Sequence, residues 1–106
     1  APGRARGLAA GRQAVRQSMK KWYVYFLESQ KDKNLYVGMS EHPLERLKEH
    51  NAGKTFSTRS RRPFLLIYEE GHPTREAARK REMFLKSYAG VKEKRKIRDN
   101  IKNIGE

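Results

Sequence analysis

Five polar side chains in this chain are of types that can do chemistry and fall where they could converge: Tyr25, Tyr36, Arg46, His50 and Glu82. Tyr25 stands mid-run in WYVYFLES (22–29) and Tyr36 early in LYVGMS (35–40). Both runs are β-rich and only the polar stretch QKDKN separates them, so they predict an antiparallel hairpin. Across such a hairpin the two tyrosines can be neighbours on one face. Tyr23 shares the face of Tyr25 by the two-residue period, and one of the pair can equally be core filling. Arg46 and His50 are four residues apart, one above the other on a helix. Basic helices also place Arg and His at that spacing by chance. Glu82 falls at the edge of an apolar helical stripe, and a half-buried carboxylate in a cationic chain needs a partner. That partner is either Arg79 or Lys86 in an ion pair, or a hard cation, since one carboxylate plus waters suits Mg²⁺.

Each type has a use in phosphodiester hydrolysis. An arginine supplies positive charge that does not titrate, facing the charge that develops on the phosphorus oxygens. A tyrosine can orient the attacking water, but with an ordinary pKa near 10 it needs nearby cations before it becomes a competent base. His50 is the alternative proton acceptor. A metal-bearing Glu82 would polarise the phosphate.

The elements that must position these groups follow from local pattern. WYVYFLES is too uniformly apolar for a strand with one wet face, which predicts a central strand. Ser40 or His42 caps the next helix, with Pro43 tolerated in its first turn; Leu44 and Leu47 form its apolar face, and Gly53 in NAG suits a left-handed stop. KTFSTRSRR (54–62) reads as a basic loop, with Lys54, Arg59, Arg61 and Arg62 as candidates for nucleic-acid phosphates. PFLLIYEE (63–70) predicts a third strand with its proline at the start. Thr74 caps a helix running to about Tyr88 and closed by Gly90, with Ala77, Arg81, Phe84, Leu85 and Tyr88 facing inward and Met83 outward. A strongly basic last helix covers 91–103. The order is ββαβαα, an α/β chain of the α+β type, with a small three-stranded mixed or antiparallel sheet flanked by helices.

Composition sets the partners. The 106 residues allow one domain. Lys and Arg number 25 against 12 Asp and Glu, for a net charge of +13 and a pI near 10.3, the electrostatic footprint of a nucleic-acid binder. Residues 1–18 carry four arginines and no acid and read as a disordered basic leader or an expression remnant. Without those four charges the rest of the chain still carries +9. There is no cysteine, which excludes disulfides, thiol nucleophiles and thiolate zinc sites and fits a reducing cytoplasm. His42, His50 and His72 lack the spacing of a zinc pair on one helix face. No apolar run is long enough to predict a membrane span.

Taken together, YVY (23–25), YVG (36–38), RLKEH (46–50) and EAARKREMFLK (76–86) resemble the GIY-YIG nuclease family in order and spacing over about residues 21–88. LYVG and LERLKEHNAG followed by RRPFLLIYEE look most like its small stand-alone bacterial members. The resemblance implies an endonuclease dependent on Mg²⁺ or Mn²⁺. In it Tyr25 and Tyr36 are the paired motif tyrosines, Arg46 an electrostatic clamp, Glu82 the metal ligand and Gly38 the motif glycine, giving a tight exit from the strand. His50 matches a histidine found in part of the family. Two positions depart from the pattern: Tyr23 replaces the first motif's glycine, and Met39 stands where many members carry lysine. The expected substrate is nucleic acid, DNA before RNA, in repair or recombination. A cytoplasmic monomer is expected, with any specificity supplied by a protein partner. The competing expectations are a nucleic-acid-binding domain on a nuclease fold without catalysis, and a basic structural protein of a ribonucleoprotein.

Overall fold

The computed structural model describes residues 21–105. The leader, 1–18, lies outside the described residues. Three strands, β1 (Trp22–Ser29), β2 (Leu35–Ser40) and β3 (Phe64–His72), combine with three helices, α1 (Pro43–Asn51), α2 (Arg75–Lys86) and α3 (Val91–Gly105), in the order ββαβαα. The sheet order is β2-β1-β3, and β1 runs antiparallel to both neighbours. The sheet is therefore wholly antiparallel, and WYVYFLES is central as its apolar run requires.

The alternation of β1 divides the core in two. Val24 and Phe26 point to one side, where with Val37 they pack against Ala78 and Leu85 of α2 and Ile97 of α3. Tyr25 and Leu27 point to the other, with Phe64, Tyr36, Leu66 and Leu47 of α1. The large side chains at the centre of both layers are almost completely enclosed; each such burial contributes about 1.5–3 kcal/mol. α1 thus covers one face and α2 with α3 the other.

Several local expectations shift. Leu44 is 63% exposed and only Leu47 packs inward, because Pro43 and His50 are the buried positions of α1. His42 is the N-cap residue of α1 but makes no side-chain cap; the Ser40 hydroxyl instead accepts from the His42 N–H. Gly53 adopts φ +80° just past the helix, as the sequence predicts. β3 begins at Phe64, one residue after Pro63, and extends to His72. Thr74 caps α2 by accepting from the Ala77 N–H at 3.1 Å, but α2 stops at Lys86 and a separate 3₁₀ turn covers Tyr88–Gly90. The buried stripe of α2 is Ala78, Glu82 and Leu85; Phe84 is exposed and Tyr88 is 95% exposed, not inward. Seating Ala78 and Leu85 against the sheet leaves Phe84 turned toward solvent. Met83 faces outward as expected.

Two polar devices hold the layers in register. Glu70 of β3 accepts from Tyr68 Oη (2.6 Å) and from Arg81 Nε (2.7 Å), and pairs with His72 Nε2 at 2.8 Å. Arg81 also reaches Glu93 at 3.0 Å, so one guanidinium joins β3, α2 and α3. Burial, reinforced by the Glu70 bond, raises the Tyr68 phenol to about 12, and the hydrogen bonds from Arg81, Tyr68 and His72 overcome burial to keep Glu70 below the usual carboxylate range. At the opposite end of β3, the Asn51 amide pairs with the Phe64 backbone in both directions, at 3.0 and 2.7 Å, and docks the end of α1 on the strand.

Candidate active site

Tyr25 and Tyr36 come to the same face of the sheet from adjacent strands. Tyr25 is paired with Gly38 and Tyr36 with Leu27, so the two rings are diagonal neighbours. Tyr25 is enclosed, and its ring lies directly across Gly38: a Cβ at that glycine would stand 2.6 Å from the Tyr25 Oη, 2.7 Å from its Cζ and 3.1 Å from the Tyr36 Cε2. Gly38 lies within β2 rather than at its exit and has no left-handed φ. Its role is therefore to leave room for a phenol, not to turn the chain. That requirement corrects the tight strand exit expected from sequence.

Arg46, on the first turn of α1, lies near enough to the Tyr25 hydroxyl for each to shift the other's titration. Hydrogen bonding to Tyr25 raises the Arg46 pKa against the cost of partial burial. The Tyr25 pKa is raised: burial dominates, the Arg46 bond pulls the other way, and the neighbouring Tyr36 and Glu82 add to the rise. Tyr25 is therefore a protonated phenol at neutral pH, suited to donating a hydrogen bond and unsuited to acting as a base. Arg46 also pairs with Glu49 at 2.5 Å, one helical turn along.

His50 is 0% exposed. Its ring centroid is 4.7 Å from that of Tyr36 and 6.0 Å from that of Phe64. Nδ1 lies 2.8 Å from Thr58 Oγ1, and the Thr58 hydroxyl itself donates to the Thr55 carbonyl at 3.4 Å. With its proton so directed, Thr58 accepts from Nδ1–H, which leaves the lone pair on Nε2. That nitrogen is buried without a partner among the described residues. Burial, and then the positive charge of Arg46, lower the His50 pKa, so the ring is neutral at pH 7. Thr58 is the partner that sequence reasoning missed; its one signal was a threonine inside an otherwise basic and exposed stretch.

Glu82 belongs to α2, the helix on the other face of the sheet, yet its charge acts on the Tyr25 hydroxyl. Its side chain is mostly buried and Oε2 pairs with Lys86 Nζ at 3.0 Å, so the Lys86 partner anticipated from sequence is present. Among the described residues no group of three or more His, Cys, Asp or Glu side chains gathers to hold a metal ion. Mg²⁺ commonly takes one or two carboxylates and fills its shell with waters and substrate phosphate. A single carboxylate, with Oε1 free of any hydrogen bond among the described residues, fits that donor set.

The loop after α1 is less open than its composition predicts. Arg59 donates to the Gly53 carbonyl, Arg62 to the carbonyls of Arg59 and Asn51, and Arg61 pairs with Asp32 at 3.2 Å. Ser29, fully buried, ties the loop to the hairpin by donating to the Arg61 carbonyl at 2.7 Å. The guanidinium groups thus serve as braces, while Lys54 stands exposed without an ion pair among the described residues.

Antiparallel hairpin, central aromatic strand and arginine-bearing helix are the frame of a GIY-YIG catalytic domain, and the model of that family matches residues 21–96. The chain belongs to the GIY-YIG family. It is 38% identical over 72 residues to a UPF0213 protein of Staphylococcus haemolyticus, a match covering 67% of this chain and 87% of the relative. A UPF0213 protein of Syntrophus aciditrophicus is 38% identical over 84 residues, covering 77% and 95%. One from Haloquadratum walsbyi is 42% identical over 71 residues, covering 66% and 79%. No solved structure gives a significant match. No helix among the described residues is long and apolar enough to cross a membrane.

Proposed function

We propose that the chain is a divalent-metal-dependent endonuclease that hydrolyses phosphodiester bonds in nucleic acid, DNA in preference to RNA, in the context of repair or recombination. The observation that carries this reading is the approach of Arg46 to the Tyr25 hydroxyl within the field of Glu82, with Tyr36 alongside. Arg46 presents fixed positive charge to the scissile phosphate and holds it through the developing pentacoordinate state. Tyr25, kept protonated, donates to a phosphate oxygen. The half-buried Tyr36 is the hydroxyl placed to orient the attacking water. His50, its ring 4.7 Å from that of Tyr36, acts through it by fixing the ring, and its Nε2, without a partner among the described residues, is a neutral acceptor in that layer. Glu82 would hold Mg²⁺ or Mn²⁺, which when bound supplies charge neutralisation at the phosphate. Lys54, Arg59, Arg61 and Arg62 add positive field near the end of α1 and steer the backbone toward the site.

The second reading, a nucleic-acid-binding domain without catalysis, draws on the pairing of both key charges, Arg46 with Glu49 and Glu82 with Lys86. Purified protein incubated with supercoiled plasmid, branched DNA and a hairpin RNA, in Mg²⁺, in Mn²⁺ and in EDTA, separates the two. Cleavage that requires the cation and disappears in Arg46→Ala supports the nuclease. Binding with no cleavage in either Mg²⁺ or Mn²⁺ supports the second reading.

A further inference from the structure

A cleft of about 320 Å³ opens between the hairpin turn and α3, lined by Asn34, Leu35, Val91, Lys94, Arg95 and Arg98. A hollow of about 470 Å³ adjoins it along the start of α3; Val91 and Arg95 line both, and Tyr88, Ala89 and Lys92 line the second. The two form one groove following the helix. From Val91 to Arg98 it runs about 10 Å at 1.5 Å per residue, which exceeds the spacing between successive backbone phosphates.

The charges in this groove are arranged unlike those of the loop after α1. Lys92, Lys94 and Arg95 make no ion pair among the described residues, whereas most arginines of the fold are braced. Arg98 is anchored at one end only: Nη2 reaches Glu28 at 3.1 Å and the Lys33 carbonyl, while Nη1 has no partner among the described residues. A pre-positioned guanidinium flanked by two free cations is a site for phosphate oxygens. At the far end stands Tyr88, its ring almost wholly exposed on the 3₁₀ turn before α3. An exposed ring beside a cationic track offers a stacking surface to an unpaired base, whereas a base inside a duplex presents no free face.

We infer that this groove binds an unpaired strand of nucleic acid, with phosphates on Lys94, Arg95 and Arg98 and a base on Tyr88. α3 packs through Ile97 on the side of the sheet opposite to Tyr25, so the groove is distinct from the tyrosine–arginine site. The route between them is short in sequence, because Asn34 and Leu35 at the cleft lead straight into Tyr36 on the same edge strand. A strand leaving the groove over the edge of β2 reaches the site where cleavage is proposed. The identity of the ligand rests on that nuclease reading; its test does not.

The test is fluorescence anisotropy in EDTA, where cleavage is blocked, using a single-stranded oligonucleotide, the same sequence as duplex, and a polyglutamate peptide of equal length. Lys94→Ala/Arg95→Ala should flatten the salt dependence of single-strand binding by about 1.4 log units per log unit of salt, two phosphates at about 0.7 each. Tyr88→Ala should weaken the single strand by at least about fivefold and leave the duplex nearly unchanged. All three residues are on the surface, so thermal melts should match wild type. An unchanged salt slope overturns the groove as a phosphate track. Equal losses for single strand and duplex in Tyr88→Ala overturn the unpaired-strand assignment. Polyglutamate binding as tightly as the oligonucleotide overturns a nucleic-acid ligand. If wild type never cleaves yet the variants lose single-strand binding as stated, the groove stands and the nuclease reading falls; cleavage by wild type with normal binding by the variants gives the reverse.

Discussion

Replacing Gly38 with alanine adds one methyl group to a strand, and a surface strand would tolerate it easily. Here the new Cβ would lie 2.6 Å from the Tyr25 hydroxyl oxygen and 2.7 Å from its Cζ, where real Cβ contacts essentially never fall under 3.0 Å. The phenol must therefore move by about 0.4 Å to reach that limit and by about 0.8 Å to reach ordinary contact at 3.4 Å. Tyr25 is fully packed against Leu27 and Phe64, so the movement strains a dense layer, at about 1–3 kcal/mol. For a domain of this size each kcal/mol is about 4–8 °C in Tm. The same displacement moves the hydroxyl off Arg46, and misplacement on this scale costs on the order of 10–100-fold in rate. Thermal unfolding followed by circular dichroism, with single-turnover cleavage, reads both effects. Tyr25→Phe in the Gly38→Ala background removes the closest clash but not the one at Cζ, so it should return part of the stability and none of the activity. Gly38→Ala that is as stable and as active as wild type would refute the account of why this position carries no side chain.

Three further outcomes are expected. His50 has a folded-state pKa below its unfolded value near 6.5, so the unfolded chain binds the proton more tightly and stability falls as pH drops below that value; denaturant titrations from pH 7.5 to 5.5 should show a decline that His50→Gln lessens, and equal declines would remove His50 as its source. Lys86→Ala frees the Glu82 oxygen from its half-exposed partner, and since such a pair is worth at most about 1 kcal/mol, half-saturating Mg²⁺ should fall by up to about fivefold; a rise would mean the lysine assists the metal. Arg61→Ala/Arg62→Ala should make the salt dependence of duplex binding shallower by about 0.9 per lost phosphate contact. It should also lower Tm, because Arg61 braces Asp32 and Arg62 holds the Asn51 and Arg59 carbonyls; an unchanged slope would leave these arginines with the bracing role alone.

The hairpin, the central position of WYVYFLES and the left-handed Gly53 were legible because each depends on residues near in sequence. The convergence of Tyr25 and Tyr36 followed from period and register, which are also local. Helix faces were not. Leu44, Phe84 and Tyr88 look inward by periodicity, but the choice of face depends on which side chains fit the sheet, and Pro43, His50 and Ala78 took those places. The role of Gly38 was hidden for the same reason: nothing local says that a ring from the next strand will occupy the space above it. Thr58 and Asn51 were missed because their partners lie 8 and 13 residues away, and the bond from Arg81 to Glu70 because it spans 11 residues and two elements. The arginines of the 54–62 loop show the converse, since a basic run gives no sign of how many carbonyls it will satisfy.

The central claim is that Arg46 and Glu82 serve one metal-dependent phosphodiesterase site. Single-turnover cleavage of nucleic acid in saturating Mg²⁺, with binding measured in parallel in EDTA, tests it on wild type, Arg46→Ala and Glu82→Gln. Glu82→Gln keeps the shape of the side chain and removes the charge that a cation requires. Each variant should lose on the order of 10²–10³ in rate, while Glu82→Gln binds substrate as wild type does. Cleavage by Glu82→Gln at the wild-type rate and with the same Mg²⁺ dependence would contradict the assignment.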